Sequence, residues 1–173
     1  MKVSKTKLDG VLLIEPPTIF KDFRGTYVET YNEKLYRAAG IDVKFIQDDI
    51  SVSAKNVLRG IHGDDVTWKL VSCLHGEFYL VVLNCDTESE KFGQWQSFVL
   101  SENNRQQVLI PPKHGNGHLV LSETAIFHYK QSTYYDRSKQ LTCKWNDPEF
   151  DIRWPIKEPI VSQRDEAKEY VQK

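Results

Sequence analysis

The sequence predicts an all-β protein whose antiparallel strands close as a sandwich or barrel. Short runs rich in β-branched and aromatic residues recur at close intervals, and turn residues separate most of them. Only one segment carries a convincing helical pattern. No internal repeat or linker divides the 173 residues, so we expect a single domain over 1–173 that buries its own core.

Nine such runs are predicted to be strands. A further predicted strand ends within the segment 56–63. The nine runs are 10–15, 27–30, 42–53, 69–73, 78–84, 94–100, 105–110, 119–122 and 125–135. Glycine-centred turns are expected at 75–77 and 111–118. Proline stops ladder pairing there, and glycine permits a positive φ or a close approach of the backbone to a ligand.

One short helix is expected near 33–39. Asn32 can act as its N-cap, and Gly40 can end it because glycine adopts the left-handed conformation readily. The C-terminal stretch 145–155 is irregular and contains prolines, yet it carries Trp145 and Trp154. Because tryptophan is large and mostly apolar, we expect this tail to pack on the barrel.

Composition argues against several classes of partner. Hydrophobic residues make up 40% of the chain, charged residues make up 27%, and the net charge is -1, so no nucleic-acid surface is indicated. No apolar run reaches the roughly 18 residues of a membrane-spanning helix, and the first residues lack the apolar core of a signal peptide. We therefore expect no membrane partner and a cytoplasmic location.

The cysteines, Cys73, Cys85 and Cys143, lie far apart and lack any Cys-x-x-Cys spacing. An odd number of cysteines without such spacing supports neither a disulfide framework nor a zinc site. We interpret all three as small buried residues.

Arg59 and His62 stand close together on one predicted strand and offer a fixed cation beside a group that titrates near neutral pH. Side chains alternate along a strand, so residues three apart point to opposite faces. Both side chains can serve one site only if the strand is distorted between them. A bulge or twist at Gly60 is therefore expected.

Several motifs, spread over most of the chain, together resemble one enzyme family. They are the segments 20–25 (FKDFRG), 45–51 (FIQDDIS), 57–62 (VLRGIH), 69–71 (KLV), 92–95 (FGQW), 110–112 (IPP), 119–123 (LVLSE), 129–130 (YK) and 145–148 (WNDP). In this order they are similar to the dTDP-4-dehydrorhamnose 3,5-epimerase family. The resemblance implies a cupin-type jelly-roll barrel, a nucleotide-diphosphate 4-keto sugar as ligand, a homodimer, and no metal or other cofactor.

The resemblance also implies catalytic roles. His62 matches the general base, Asp165 its orienting carboxylate, Tyr129 the general acid, and Lys69 the group near the C4 oxygen. These residue types suit epimerisation beside a ketone, which removes a proton from one face of the ring and returns one to the other face through an enolate. A carboxylate on histidine fixes its tautomer, and a lysine stabilises the enolate oxygen.

Six further residues match substrate-binding positions of the family. Arg24 and Arg59 resemble a diphosphate clamp, because guanidinium groups make bidentate contacts with phosphate. The other four are Glu29, Gln47, Asn116 and Tyr134.

Three departures from the family pattern concern the substrate. After His62 the family usually has an aromatic residue and a glutamine, whereas here Gly63, Asp64 and Asp65 follow. Asn116 stands where a phosphate-holding histidine is usual. The run 78–84 also lacks the aspartates that often occur there.

With these departures the sequence most resembles the branch of the family that acts on GDP-linked 4-keto-6-deoxy-heptoses for bacterial surface polysaccharide, and a dTDP-linked 4-keto-6-deoxyhexose is the other substrate considered. A smaller residue beside the base leaves room for a larger sugar, and the altered phosphate turn suggests another nucleotide. Whether C3 alone or both C3 and C5 are inverted stays open.

Three other functions fit parts of the sequence. A nucleotide-sugar 3,4-ketoisomerase would use the same scaffold and a similar base. A metal-dependent cupin oxygenase would draw on His62, His114 and His118, but the histidine and carboxylate spacing of a facial metal site is absent. A sugar-binding barrel with a dead site would have no reason to keep His62, Tyr129 and Lys69 together.

Overall fold

Two antiparallel sheets pack face to face in the computed structural model, which describes residues 1–16 and 19–166. Strands are numbered along the chain. The six-stranded sheet has the order β1 (Lys2–Lys5), β2 (Leu12–Glu15), β10 (Gln107–Ile110), β7 (Lys69–His75), β12 (Thr124–Gln131), β5 (Gln47–Ala54). The five-stranded sheet has the order β13 (Leu141–Thr142), β6 (Leu58–Gly63), β11 (His114–Val120), β8 (Glu77–Asn84), β9 (Trp95–Ser101). A separate hairpin joins β3 (Ile19–Asp22) to β4 (Gly25–Val28).

Alternation along the strands divides the apolar residues between three clusters. On β8, Leu80 and Val82 face the core between the sheets, where they meet Val71 and Phe127. The intervening Val81 points to the outer face of the same sheet. This period of two is the pattern expected for strands that are buried on both faces.

The helix and the C-terminal segment cover the two outer faces. Helix α1 (Glu33–Ala38) buries Tyr36 against the six-stranded sheet. Asn32 caps the helix by accepting a hydrogen bond from Leu35 N, and Gly40 follows it with φ +85°. The predicted helix is thus confirmed, together with the residues that begin and end it.

The C-terminal segment packs on the five-stranded sheet, as predicted. Trp95 Nε1 donates to the carbonyl of Phe150, and Trp154 Nε1 donates to the carbonyl of Trp145. Ile160 then pairs with Val57 at the start of β6. This pairing carries the chain to helix α2 (Gln163–Glu166), which lies beside β6.

The structure corrects three predicted segments. The run 42–53 enters a strand only at residue 47, and 125–135 leaves its strand at 131. The segment 111–118 is not all turn, because β11 begins at His114. Its glycines serve close strand packing instead: a Cβ at Gly115 would lie 2.5 Å from Ile61 Cγ2. The short strands β1, β3 and β13 were not predicted. No helix in the described part of the chain is long and apolar enough to cross a membrane.

Candidate active site

A cavity of about 330 Å³ lies between the two sheets and the C-terminal segment. Six of the ten predicted site residues line it: Arg59, His62, Lys69, Asn116, Tyr129 and Asp165. They come from β6, β7, β11, β12 and α2, so residues far apart in sequence meet at one place. The cavity is the candidate active site.

A bulge on β6 brings Arg59 and His62 to the same cavity. His62 pairs with Asn116 of β11, and Arg59 pairs with His118, so the register shifts by one residue between them. Gly60 has φ +120°, and the peptide bond after it is cis. The predicted distortion at Gly60 is therefore confirmed. An added Cβ at Gly60 would lie 2.5 Å from Gly117 Cα, so only glycine fits.

The side chains of His62 on β6 and Asp165 on α2 are in contact. Nε2 of His62 lies 2.8 Å from Oδ1 of Asp165, whose side chain is only 4% exposed. Burial acts to raise the pKa of Asp165, but its contact with His62 and the Gly60 N–H lower the pKa below its ordinary value. A carboxylate at Nε2 places the proton of neutral His62 on that nitrogen. Nδ1 is then the basic nitrogen.

Thr142 lies at that other nitrogen. Its hydroxyl oxygen is 3.3 Å from His62 Nδ1, because Thr142 and His62 are partners in the β13–β6 ladder. Arg164 Nη2 donates to the same hydroxyl oxygen over 3.1 Å. Both sides of the imidazole are thus held by neighbouring side chains.

Lys69 is a buried cation on the floor of the cavity, 7% exposed. Its ammonium donates to the carbonyl of His62 and to Oδ1 of Asn116, over 3.3 and 3.2 Å. Burial lowers the pKa of Lys69 to about 8, although the charge of Asp64 acts in the opposite direction. The group is mostly charged at neutral pH and adjoins the base.

Tyr129 lies on the six-stranded sheet, whereas His62 lies on the five-stranded sheet, and both line the cavity. Burial, and then the charge of Asp49, raise the pKa of Tyr129 to about 12. The phenol therefore keeps its proton at neutral pH. The cavity holds a basic nitrogen on one wall and a protonated phenol on the other.

His118 is a buried part of the cavity wall, stacked on Phe127 with ring centroids 4.1 Å apart. Burial lowers the pKa of His118 to about 3. His118 is therefore neutral and adds polarity without charge. The sequence had drawn attention to it only as a candidate metal ligand.

Four predicted site residues lie outside the cavity lining. Arg24 is on the exposed β3–β4 hairpin, where its Nη2 lies 2.6 Å from Asp22. Glu29 follows that hairpin and has one buried carboxylate oxygen without a hydrogen-bond partner in the described structure. Gln47 hydrogen-bonds Asp49 and the Tyr135 N–H. Tyr134 is 75% exposed.

Other lining residues escaped the sequence analysis. They are Ile50, Ser51, Phe127, Gln131, Tyr135, Gln140, Ser162 and Arg164. The alternation of β12 could have identified Phe127 and Gln131, because both share a face with Tyr129. No local signal identifies Gln140 or Arg164, which reach the cavity from outside the main strands.

A second cavity, of about 680 Å³, adjoins the first and shares Gln140 and Arg164 with it. Asp64 and Asp65 line this second cavity, directly after the strand that carries His62. Asp64 is buried, and its carboxylate accepts hydrogen bonds from the N–H groups of Val66 and Thr67. The residues that depart from the family pattern after His62 therefore line the second cavity, which lies near His62.

The histidines considered as metal ligands do not converge. His114 lies outside the lining of the first cavity and contacts the Pro112 carbonyl through Nδ1. Across residues 1–16 and 19–166, no three His, Cys, Asp or Glu side chains are grouped as metal ligands would be.

Two antiparallel sheets surround a cavity that contains acid–base side chains. This is the architecture of a cupin-type barrel, with a site suited to proton transfer. Comparison with known proteins specifies the class further. Residues 5–173 match the family model described as dTDP-4-dehydrorhamnose 3,5-epimerase. The dTDP-4-dehydrorhamnose 3,5-epimerase of Salmonella typhimurium is 41% identical over 172 residues, covering 96% of this chain and 93% of the relative.

Solved structures give the same result. The dTDP-6-deoxy-D-glucose-3,5-epimerase of Legionella pneumophila, in complex with dTDP-4-keto-L-rhamnose, has a TM-score of 0.90 and 37% identity, covering 95% of this chain and 89% of that one. A 3'-monoepimerase from Streptomyces bikiniensis, in complex with dTDP-quinovose, has a TM-score of 0.87 and 29% identity, covering 93% and 83%. The chain belongs to the dTDP-4-dehydrorhamnose 3,5-epimerase family and is a carbohydrate epimerase.

Proposed function

We propose that this protein epimerises a nucleotide-linked 4-keto sugar at C3, or at C3 and C5, by proton transfer through an enolate and without a cofactor. One observation carries the proposal. The His62–Asp165 pair lies on one wall of the cavity, Tyr129 lies on the other wall, and the buried Lys69 also lines the cavity. Family membership supports the same reaction class.

Each residue has a defined step. His62 Nδ1 takes the proton from the carbon beside the C4 ketone, the C–H electron pair forms the double bond to C4, and the π electron pair of the ketone moves to the C4 oxygen. Lys69 stabilises the negative charge that develops there, an effect commonly worth about 100-fold to 1000-fold in rate. Tyr129 then donates its proton to the opposite face of the same carbon, and the ketone re-forms. The phenolate regains a proton from solvent, and the His62 imidazolium releases its proton to solvent. Asp165 stabilises the imidazolium.

Arg59 and Asn116 belong to the substrate-binding part of this proposal. Arg59 lines the cavity and is held by a hydrogen bond from its Nε to Ser53 Oγ, 2.9 Å long. Its guanidinium suits a diphosphate oxygen. Asn116 fixes the Lys69 ammonium through its amide oxygen, which makes it a positioning residue as well as a wall of the cavity.

The identity of the sugar and the nucleotide is the finer part of the proposal. The names of the relatives support a dTDP-linked hexose. The second cavity beside Asp64 and Asp65 supports the larger GDP-linked 4-keto-6-deoxy-heptose, because it adds room next to the base. We retain the heptose as the prediction and the hexose as the alternative. A role in surface polysaccharide synthesis, and the cytoplasmic location, remain predictions from the sequence.

Arg24 lies outside the cavity lining, and a homodimer would bring it to the site of a second copy. It stands at the turn of a hairpin whose large aromatic side chains are exposed, with Phe20 at 66%, Phe23 at 98% and Tyr27 at 67%. Such a surface is typical of a protein contact. We propose that this hairpin docks on a second copy and carries Arg24 to the diphosphate there, with Glu29, Gln47 and Tyr134 nearby.

The proposed reaction is tested by incubating GDP- and dTDP-linked 4-keto sugars with the protein in deuterium oxide. Mass spectrometry should show deuterium at C3, or at C3 and C5, with the ketone still at C4. A ketone that moves to C3 would support a ketoisomerase instead. Binding without exchange for every sugar would overturn the proposal and indicate a dead site.

The homodimer is tested by light scattering and by mixing two inactive variants, Arg24→Ala and His62→Ala. If Arg24 serves the partner's site, mixed dimers contain one intact site and recover up to about half of the activity per dimer. A monomer in solution, or no recovery on mixing, would contradict this arrangement.

A further inference from the structure

Two cysteines that the proposed reaction does not use lie in contact behind the candidate active site. Cys85 follows β8, and Cys143 follows β13, and their Sγ atoms are 3.7 Å apart. Both are free thiols. The third cysteine, Cys73, lies in the core between the sheets, where its thiol donates to the carbonyls of His75 and Gly76.

The two thiols differ in their surroundings. Cys143 is buried, whereas Cys85 is partly exposed. The thiol of Cys143, the Gly115 N–H and the charge of Lys69 together lower the pKa of Cys85, although burial opposes them. The contact with Cys85, together with burial, raises the pKa of Cys143. Cys85 is thus the more acidic of the two thiols and Cys143 the less acidic one.

We propose that Cys85 and Cys143 form a reactive dithiol that a hydroperoxide oxidises to a disulfide. The Cys85 thiol gives up its proton and attacks one oxygen of hydrogen peroxide, the O–O bond breaks, and the hydroxide that leaves takes up that proton as water, which gives a sulfenic acid. The Cys143 sulfur then attacks that sulfenic sulfur, and the S–O bond breaks to release a second water. Two thiols and one peroxide thus become one disulfide and two waters.

The geometry allows this bond with small movements. From 3.7 Å, the sulfur atoms must approach by roughly 1.7 Å to reach a disulfide length of about 2.0 Å. Rotation of the two side chains, together with movement of the chain at Cys143, can supply this approach. Cys143 belongs to the segment after the short edge strand β13, which has only two residues in the sheet.

Movement of the backbone at Cys143 would shift residues that contact His62. Cys143 exchanges two backbone hydrogen bonds with Ile61, of 3.0 and 3.3 Å, and the preceding Thr142 contacts His62 Nδ1. Oxidation also removes the Cys85 thiol from the neighbourhood of Lys69. We therefore expect the disulfide to slow proton transfer at least tenfold and thiol reductants to restore it. This consequence for catalysis rests on the proposed function, whereas formation of the disulfide does not.

The test uses a Cys73→Ser variant of the full chain, because serine can donate to the same two carbonyls. In this background the tryptic peptide 70–91 holds Cys85 as its sole thiol, and the peptide 140–144 holds Cys143. After treatment with hydrogen peroxide, intact mass should fall by about 2 Da, and digestion without reductant should yield the two peptides linked. Dithiothreitol should reverse both changes.

Two variants sharpen the result. Cys85→Ser and Cys143→Ser should both lose the linked peptide, and Cys143→Ser should instead accumulate a sulfenic acid at Cys85 that dimedone traps. Oxidation that stops at separate sulfinic acids, or a linked peptide that never forms in the folded Cys73→Ser protein, would overturn the proposal. A linked peptide with unchanged deuterium exchange would overturn only the catalytic consequence.

Discussion

Arg59 and His62 face the same cavity although they lie three residues apart on one strand. Their partners on β11, His118 and Asn116, are two apart, so β6 carries one extra residue in this stretch. The bulge at Gly60 lets one strand present Arg59, the proposed phosphate ligand, and His62, the proposed base, to the same cavity.

Replacing Gly60 by alanine should therefore disturb both stability and catalysis. The new Cβ would lie 2.5 Å from Gly117 Cα and 2.7 Å from the Asn116 carbonyl oxygen. We expect a loss of roughly 3 kcal/mol or more in unfolding free energy, measured by urea denaturation. Gly25→Ala is the matched control, because Gly25 has φ +126° with no atom within 4 Å of the added Cβ. Equal losses in the two variants would show that the close approach does not matter.

Asp165→Asn should lower the rate of deuterium exchange by roughly 100-fold to 10,000-fold, because an amide neither fixes the histidine tautomer nor stabilises the imidazolium. Binding of the nucleotide sugar should change little. Glu166→Gln changes the neighbouring, exposed carboxylate and should leave the rate unaltered. An Asp165→Asn variant with wild-type kinetics would remove Asp165 from the mechanism.

The rate should also fall on the alkaline side as Lys69 loses its proton. Its pKa is lowered to about 8, so the ammonium is present below pH 8 and lost as the pH rises through that value. We expect kcat/KM for enolate formation to decline with an apparent pKa near 8. In Lys69→Arg the cation persists, so this decline should disappear. Lys55→Met, an exposed change, should keep the wild-type profile.

Lys69 has a second consequence for the pH dependence of stability. Its pKa is about 8 in the folded protein and 10.5 as the ordinary value, so the unfolded chain binds more protons between these pH values. Stability should therefore rise with pH across this range through this group. Lys69→Met should remove that rise, which thermal unfolding at pH 7.5 and 9.5 can measure.

Tyr129→Phe should separate the two proton transfers. His62 can still remove the ring proton and return deuterium to the same face, so substrate should gain deuterium while inverted product falls about 100-fold or more. Tyr135→Phe alters another tyrosine of the same cavity and serves as the control. If Tyr135→Phe abolished inversion and Tyr129→Phe did not, the acid would have to be reassigned.

Much of this site was predictable because its residues lie in strongly patterned strands. His62 and Tyr129 each lie in a motif whose neighbouring residues also predict the strand, and Lys69 is the first residue of β7. Asp165 was harder, since its place depends on how the tail returns to β6. The tryptophans of the tail indicated packing, but not that Ile160 would pair with Val57.

The errors have physical causes. The glycines of 111–118 suggested a turn, because glycine suits both turns and close packing, and the sequence does not distinguish these uses. Gly115 and Gly117 turned out to lie against Ile61. The role of Arg24 in binding phosphate is not one of these errors and stays a prediction. Its hairpin pairs with no other strand of the described structure, so strand pairing does not fix its position relative to the cavity.

The pairing of His62 with Asp165 also sets an order of events during synthesis. Both sheets can be completed once β13 has left the ribosome, but the base has no carboxylate until residues some twenty positions later have folded onto β6. Proteins emerge and begin to fold from the N-terminus. Under the proposed mechanism, a nascent chain whose sheets form before residue 165 emerges cannot yet remove a proton from a sugar at full rate.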